Sequence, residues 1–237
     1  MVGNHPLKWL DPGDFDAPFP DVESALKEPD GLLAIGGDLS PSRLLRAYKQ
    51  GIFPWYSHDQ PILWWSPNPR CVLFPEHLRI SRSLRKTIKK NVYSITSDKA
   101  FRRVIESCAE PRKPGEGTWL TEDMIEAFCH LHDMGHAHSV ESWHEDELEG
   151  GLYGLALGKI FFGESMFARH DDASKVAFIQ LVEHLQHWGY VLIDCQVASA
   201  HLTNFGAEPI PRREFVTYLK RFCDMPTPWG VWSISGE

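Results

Sequence analysis

Two short stretches carry the residue types of an acid–base site. "GESMF" at 163–167 sets Glu164 among Ile160, Phe161, Phe162, Met166 and Phe167, and "LIDCQV" at 192–197 sets Asp194 and Gln196 two positions apart. Glu is almost never fully buried without a partner, so a carboxylate inside an apolar run asks for a reason. Both stretches read as strands, in which alternate residues share a face. Alternation places Glu164 with Met166, opposite Gly163, Ser165 and Phe167; it places Asp194 with Gln196, opposite Ile193, Cys195 and Val197. If the strands are neighbours, Glu164, Met166, Asp194 and Gln196 line one cavity with two carboxylates, an amide and an apolar floor. Such a cavity suits an amine or cationic substrate with a greasy neighbour. Two unrelated acids facing solvent are the alternative, and spacing alone leaves both readings open.

Other chemistry-bearing residues point less far. Cys195 alternates away from Asp194 and Gln196 and has no His near it in sequence, so it reads as a small buried core residue rather than a nucleophile. His130/His132, His136/His138 and His184/His187 are the metal candidates, but Gly135 interrupts the His132–His136 spacing. They read as solvated histidines, and no metal is expected. Neither "GLYGLALG" nor "GLLAIGGD" fits a dinucleotide or phosphate loop, so their glycines read as turns. The segment "RISRSLRKTIKK" holds Arg79, Arg82, Arg85, Lys86, Lys89 and Lys90 and no acid. On a helix, residues 82, 85/86 and 89 share a face. A solvated charged face is one reading; a contact with a nucleic-acid backbone is the other.

The elements that must position these residues follow from periodicity and punctuation. Residues 1–70 are rich in Pro and Gly, and residues 1–62 are expected to form a small N-terminal domain. Its one clear helix begins with Ser40 as cap and Pro41 in the first turn, carries Leu44, Leu45 and Tyr48 as a stripe, and stops at Gly51. "PILWWSPNPRCVLFP" reads as two short strands around a turn. Residues 63–237 are expected to form one larger domain. Helix 79–90 and the strand "VYSIT" come first, then a helix capped by Asp98 and one opened by Thr121. Three consecutive strands follow, then helix 174–188, the strand "YVLIDCQV" and a last helix opened by Pro211. This order predicts an α+β fold: a mixed sheet with flanking helices, the layout of acetyltransferase-like (GNAT-like) domains.

Composition bounds the surroundings. The chain has 237 residues, 43% hydrophobic and 24% charged, with nine Trp, a supply of rings that suits a ligand pocket as well as a core. The net charge of −8 argues against a general nucleic-acid binder, yet it is uneven. Residues 1–120 hold 17 basic and 14 acidic side chains, and residues 121–237 hold 7 and 18. Two surfaces with different partners are expected. Five widely spaced Cys without a CxxC pair favour a reducing compartment over a disulfide framework. The first residues show no signal-peptide pattern and no stretch approaches the roughly 20 apolar residues of a membrane span. A cytoplasmic protein is expected.

Taken in order, "FPDVESALKEPDGLLAIGGDLSPSRLLRAYKQGIFPWY", "PILWWSPNPR", "TWLTEDMIEAF", "LHDMGHAHSVESW", "GGLYGLALGKIFFGESMF", "DASKVAF", "LIDCQV" and "FGAEPIPRREF" resemble the leucyl/phenylalanyl-tRNA–protein transferases over nearly the whole chain. The resemblance implies an enzyme that moves Leu or Phe, with Met as a further donor, from aminoacyl-tRNA to proteins whose first residue is Arg or Lys, in the N-degron pathway. It implies no cofactor, because the aminoacyl ester is already activated, and a small domain before an acetyltransferase-like one. Asp194 and Gln196 would sit at the reaction centre. Asp194 would orient Gln196 and take charge from the incoming ammonium. Gln196 would position the amine, an amide being too weak a base to do more, while a ribose hydroxyl or water carries the proton. Glu164 would face the 3′ adenosine and the acceptor peptide, with Trp55 and Trp119 stacking near the adenine. The Leu or Phe side chain would enter a pocket of Leu152, Phe161, Met166, Phe178, Leu181 and Ile193, where a Met tolerates both flat and branched guests. The basic helix would grip the tRNA acceptor stem, and the acidic half would attract a cationic N-terminus.

Two rival readings fit the residues less well. An acyl-CoA N-acetyltransferase would need a Gly-rich pyrophosphate loop before helix 174–188, where "ARHDDAS" is acidic and lacks Gly. A non-catalytic RNA-binding module would not need Glu164, Asp194 and Gln196 beside an apolar pocket.

Overall fold

The computed structural model describes residues 7–111, 120–226, 232 and 234. The first part of the chain builds a four-stranded sheet in the order β1-β2-β4-β3, from β1 (Lys8–Leu10), β2 (Leu32–Gly36), β3 (Phe53–Pro54) and β4 (Leu63–Trp65). Helix α1 (Pro41–Lys49) lies between β2 and β3. The Ser40 side chain caps α1 at Arg43 N and Pro41 occupies its first turn, as the sequence predicts. Gly51 ends it at φ +79°, a conformation open to Gly, and a side chain there would press on Phe215.

The chain crosses between sheets after Trp65, not at residue 62, because Leu63–Trp65 is hydrogen-bonded to both β2 and β3 and completes the small sheet. The two strands expected in "PILWWSPNPRCVLFP" are both present, in different sheets: the second, β5 (Arg70–Leu73), belongs to the larger one.

After β5 come α2 (Arg82–Lys89), β6 (Ser94–Ser97), α3 (Phe101–Ala109), α4 (Glu122–Asp133) and β7 (Ala137–His144). Then follow β8 (Glu147–Leu157), β9 (Ile160–Ala168), α5 (Ala173–His187), β10 (Leu192–Gln196), α6 (Ala200–Asn204), β11 (Glu208–Ile210) and α7 (Arg212–Phe222). The seven-stranded sheet runs β11-β5-β10-β9-β8-β7-β6 and is antiparallel except for β9 and β10. This is the mixed sheet with flanking helices that the element order predicts. One face, through residues such as Tyr153, Phe162 and Val72, packs with α3, α4 and α1; the other, through Leu73, Leu152, Phe161 and Ile193, packs with α5. Asp98 does not cap α3 as expected. It stands at φ +55° and its carboxylate turns to His138 and Ser139 N, leaving Ala100 as the cap residue.

Candidate active site

The parallel pairing of β9 and β10 covers Leu192↔Ile160, Ile193↔Phe161 and Asp194↔Phe162, and goes no further. Beyond that point each strand carries an irregularity. On β9, Tyr153 pairs with Ser165 and Gly154 with Gly163, so Glu164 is an extra residue. On β10, Asp194 pairs with Val72 and Gln196 with Cys71, so Cys195 is extra. A bulge lets two residues face one and re-aims the side chains after it. Glu164 and Met166 therefore part company, against simple alternation. Met166 joins Leu152 and Phe161 on the α5 side, while Glu164 turns to the opposite face, where Tyr48 of α1 meets it.

Between the diverging strands lies a cavity of about 750 Å³. Its apolar wall includes Leu152, Phe161, Met166, Phe178, Leu181 and Ile193, the six residues expected to form an acyl pocket. Glu164, Asp194 and Gln196 line it too. The structure thus brings the two stretches together, and the reading of two unrelated acids falls.

The polar groups form one connected chain. Tyr48 OH donates to Glu164 Oε1 at 2.8 Å, and Gln196 Nε2 donates to the same oxygen at 3.3 Å. Gln196 N donates to Asp194 Oδ1 at 3.0 Å, and Gln196 holds φ +54°. Asp194, fully buried, receives both arms of a guanidinium: Arg70 Nε to Oδ1 at 2.7 Å and Nη2 to Oδ2 at 2.6 Å. Arg70 Nη1 donates to Gly51 O at 3.2 Å, and the guanidinium lies between the rings of Phe53 and Phe215, 4.8 and 4.7 Å from their centroids. The small sheet, α7 and the large sheet all meet on this one side chain.

Enclosure decides the titration of Glu164. Burial pushes its carboxyl up to about 8; the Tyr48 hydroxyl pulls the other way, the Asp194 charge adds to the rise and Arg70 opposes it. Two donors share Oε1, so Oε2 is the oxygen left to carry the proton. Burial also raises Tyr48 and Tyr153 well above the ordinary phenol range, with the Glu164 charge as the next cause for each. Tyr153 is fully buried, lines the cavity, and its hydroxyl has no hydrogen-bond partner among the described residues.

A family model described as leucyl/phenylalanyl-tRNA protein transferase matches residues 72–220, and one described as the N-terminal domain of that protein matches residues 37–68. The chain belongs to the leucyl/phenylalanyl-tRNA protein transferase family. Relatives that carry this name include one from Pseudomonas syringae pv. syringae strain B728a, 58% identical over 221 residues, which are 93% of this chain and 96% of that one. Another, from Stutzerimonas stutzeri strain A1501, is 56% identical over 93% of this chain and 97% of its own. A third, from Nitrosomonas europaea, is 58% identical over 89% of each. The protein is accordingly a transferase.

Around the transferase cavity, the remaining expected residues are placed differently. Trp55 stands on the small sheet, 48% exposed, with its ring 5.8 Å from that of Trp65, and it does not line the cavity. Trp119 lies outside the described residues. Arg79, Arg82, Arg85, Lys86, Lys89 and Lys90 are all exposed along α2 and its flanks. Among the described residues, no cluster of His, Cys, Asp and Glu is suited to a metal ion, and no helix is long and apolar enough to cross a membrane.

Sequence reasoning missed Tyr48, Arg70 and Tyr153. Tyr48 falls in the apolar stripe of α1 and passes for core, though a buried phenol asks for a hydrogen-bond partner. Arg70 gives the same signal as Glu164, a lone charge heading the strand "RCVL".

Proposed function

We propose that the transferase moves Leu or Phe, with Met as a third donor, from aminoacyl-tRNA to the α-amino group of cytoplasmic proteins that begin with Arg or Lys, marking them for N-degron degradation. The observation that carries this reading is the junction of a carboxylate with an apolar cavity. Glu164 stands where Leu152, Phe161 and Met166 end, so an acyl side chain seated among them presents its ester carbonyl beside Oε2 and the Gln196 amide.

The chemistry then needs little else. An aminoacyl ester is already activated, and holding an amine against it supplies much of the rate. The α-ammonium of the acceptor must lose a proton before it can attack. Glu164, with its carboxyl near 8, takes that proton at neutral to mildly alkaline pH. The neutral amine adds to the carbonyl, the bond to the ribose oxygen breaks, and the second amine proton passes to that oxygen. Asp194 is already held by Arg70 and by Gln196 N, so its part is to fix the Gln196 backbone. Gln196 positions the amine and offers an N–H to developing charge on the carbonyl oxygen. The cationic side chain of an Arg or Lys acceptor, close to Glu164, would lower that carboxyl and favour the base form. The exposed basic helix α2 would hold the tRNA backbone.

The test is direct. With a peptide beginning in Arg, label should move from Leu-tRNA and not from acetyl-CoA. Transfer from acetyl-CoA alone, or equal transfer to a peptide beginning in Asp, would overturn the proposal.

A further inference from the structure

Cys195, the extra residue of β10, sits between Asp194 and Gln196, and its neighbour on β5 is another cysteine. Cys71 is paired in register with Gln196. Both cysteines belong to the core on the α5 side of the sheet, with Leu73 and Ile193, and Cys195 Sγ donates to Ile193 O at 3.8 Å. They are enclosed, at 2% and 8% exposure, but not sealed. Cys195 lines the acyl cavity, and Cys71 lines a second cavity of about 590 Å³ beside Arg79, Thr203 and Glu208. The pair therefore forms a partition between two spaces that small molecules can enter.

We propose that Cys71 and Cys195 are a dithiol site for hydrogen peroxide, and that the disulfide they form displaces the Gln196 amide and halts transfer. The effect on transfer rests on the role given above to Gln196; the formation of the bond does not.

The S–H of Cys195 stabilises a thiolate on Cys71 and lowers it, against the opposing effects of burial and of the Asp194 charge. That thiolate attacks one peroxide oxygen, the O–O bond breaks, and Cys71 becomes a sulfenic acid as hydroxide departs. The Cys195 sulfur then attacks the Cys71 sulfur, the S–O bond breaks, and the thiol proton leaves with the hydroxyl group as water. Two thiols are oxidised and one peroxide is reduced to two waters. A disulfide draws its sulfurs to about 2.05 Å, and the strain of doing so falls on the bulge. Gln196 follows directly, at φ +54°, with its backbone N–H on Asp194 and its amide on Glu164. A bond that pulls Cys195 toward β5 moves both of these hydrogen bonds.

The full-length protein, exposed to a small excess of hydrogen peroxide, would be blocked with iodoacetamide, digested and read by mass spectrometry. Transfer from labelled Leu-tRNA to an Arg-initiated peptide would be measured on the same samples before and after dithiothreitol. The expected result is a peptide linked through Cys71 and Cys195, with transfer reduced roughly a hundredfold and restored by the reductant. Cys71→Ala should show neither the link nor the loss; Cys195→Ala, read by the link alone, serves if that variant does not fold. Peroxide-treated wild type in which both cysteines are still alkylated would overturn the proposal. So would a Cys71→Ala protein inactivated as fast as wild type, which would place the damage elsewhere, for instance at Cys108. A linked peptide with transfer unchanged would overturn the switch. Absence of transfer in the reduced protein would instead count against the proposed reaction, and the linked peptide would still decide the thiol site.

Discussion

Arg70 and Asp194 meet with no solvent between them: Nε to Oδ1 at 2.7 Å and Nη2 to Oδ2 at 2.6 Å, each side chain at most 1% exposed. Burying two charges is expensive, and only good geometry with all remaining donors satisfied makes it tolerable. Here the fork is bidentate, the third guanidinium nitrogen reaches Gly51 O, and the aromatic faces of Phe53 and Phe215 flank the cation. What this holds in place is the last paired residue of β10 before its bulge. From it, one further hydrogen bond sets the backbone of Gln196.

Removing Arg70 should therefore injure the fold and the site together. Arg70→Met leaves Asp194 buried and unpaired, with an expected loss of about 3–5 kcal/mol. Arg70→Lys keeps the charge but not the fork, and should lose less stability while still slowing transfer. Urea unfolding and kcat/KM under native conditions check both. An Arg70→Met protein with the wild-type midpoint and rate would show the pair to be incidental.

Glu164 should make both activity and stability depend on pH in the same window, with opposite signs. Its carboxyl is raised from the ordinary 4.5 to about 8 by burial, so between those values the folded protein keeps a proton that the unfolded chain has released. Stability from this group is complete at low pH and declines as pH climbs toward 8. The base form grows over the same interval, so kcat/KM should rise and level off near there. Glu164→Gln should flatten the stability slope and leave only the titration of the peptide amine, near 8, in a much reduced rate. A wild-type stability curve flat from pH 5 to 8 would contradict the assignment.

Much of this arrangement was legible in the residues. The caps at Ser40 and Thr121 follow from residue type and spacing, and so does the candidacy of Glu164, Asp194 and Gln196; the six apolar wall positions come from the family resemblance. What strand alternation could not show is where it breaks. The extra residues Glu164 and Cys195 change which faces their neighbours share, and a bulge has no signature in hydrophobic spacing. The partners of the site were hidden for another reason. Tyr48 meets Glu164 across 116 positions and Arg70 meets Asp194 across 124, and only the packing of α1 and β5 beside the parallel pair reveals either.

Leu152 gives access to donor choice. It is paired with Met166 across β8 and β9 and lines the cavity wall, 3% exposed. Leu152→Phe adds bulk where the acyl side chain is proposed to sit, so the flat, larger Phe should suffer more than Leu. A difference of this kind in an apolar pocket is worth about 1–3 kcal/mol, or roughly 10–200-fold. The ratio of kcat/KM for Leu-tRNA and Phe-tRNA measures it directly. Equal losses for the two donors would mean that the side chain lies elsewhere.

The proposed tRNA grip of the basic helix would be tied to the same cavity. α2 packs on α5 beneath its charged face, Thr87 Oγ1 donates to Asp172 Oδ2 at 3.0 Å, and Tyr93 OH donates to Asp171 O at 2.7 Å. Asp171 and Asp172 lie in the turn from β9 to α5, the two elements that supply much of the cavity wall. A phosphate backbone held on Arg82, Arg85 and Lys89 would thus be fixed relative to the acyl pocket. Neutralising those three with Gln should weaken tRNA binding for every sequence alike and make the salt slope shallower by about one for each cation removed from a phosphate. Filter binding between low and high salt reads the slope. Transfer at saturating aminoacyl-tRNA should change little, because none of the three touches the cavity. An unchanged slope would take the helix out of the tRNA interface and leave its charge as a solvated face.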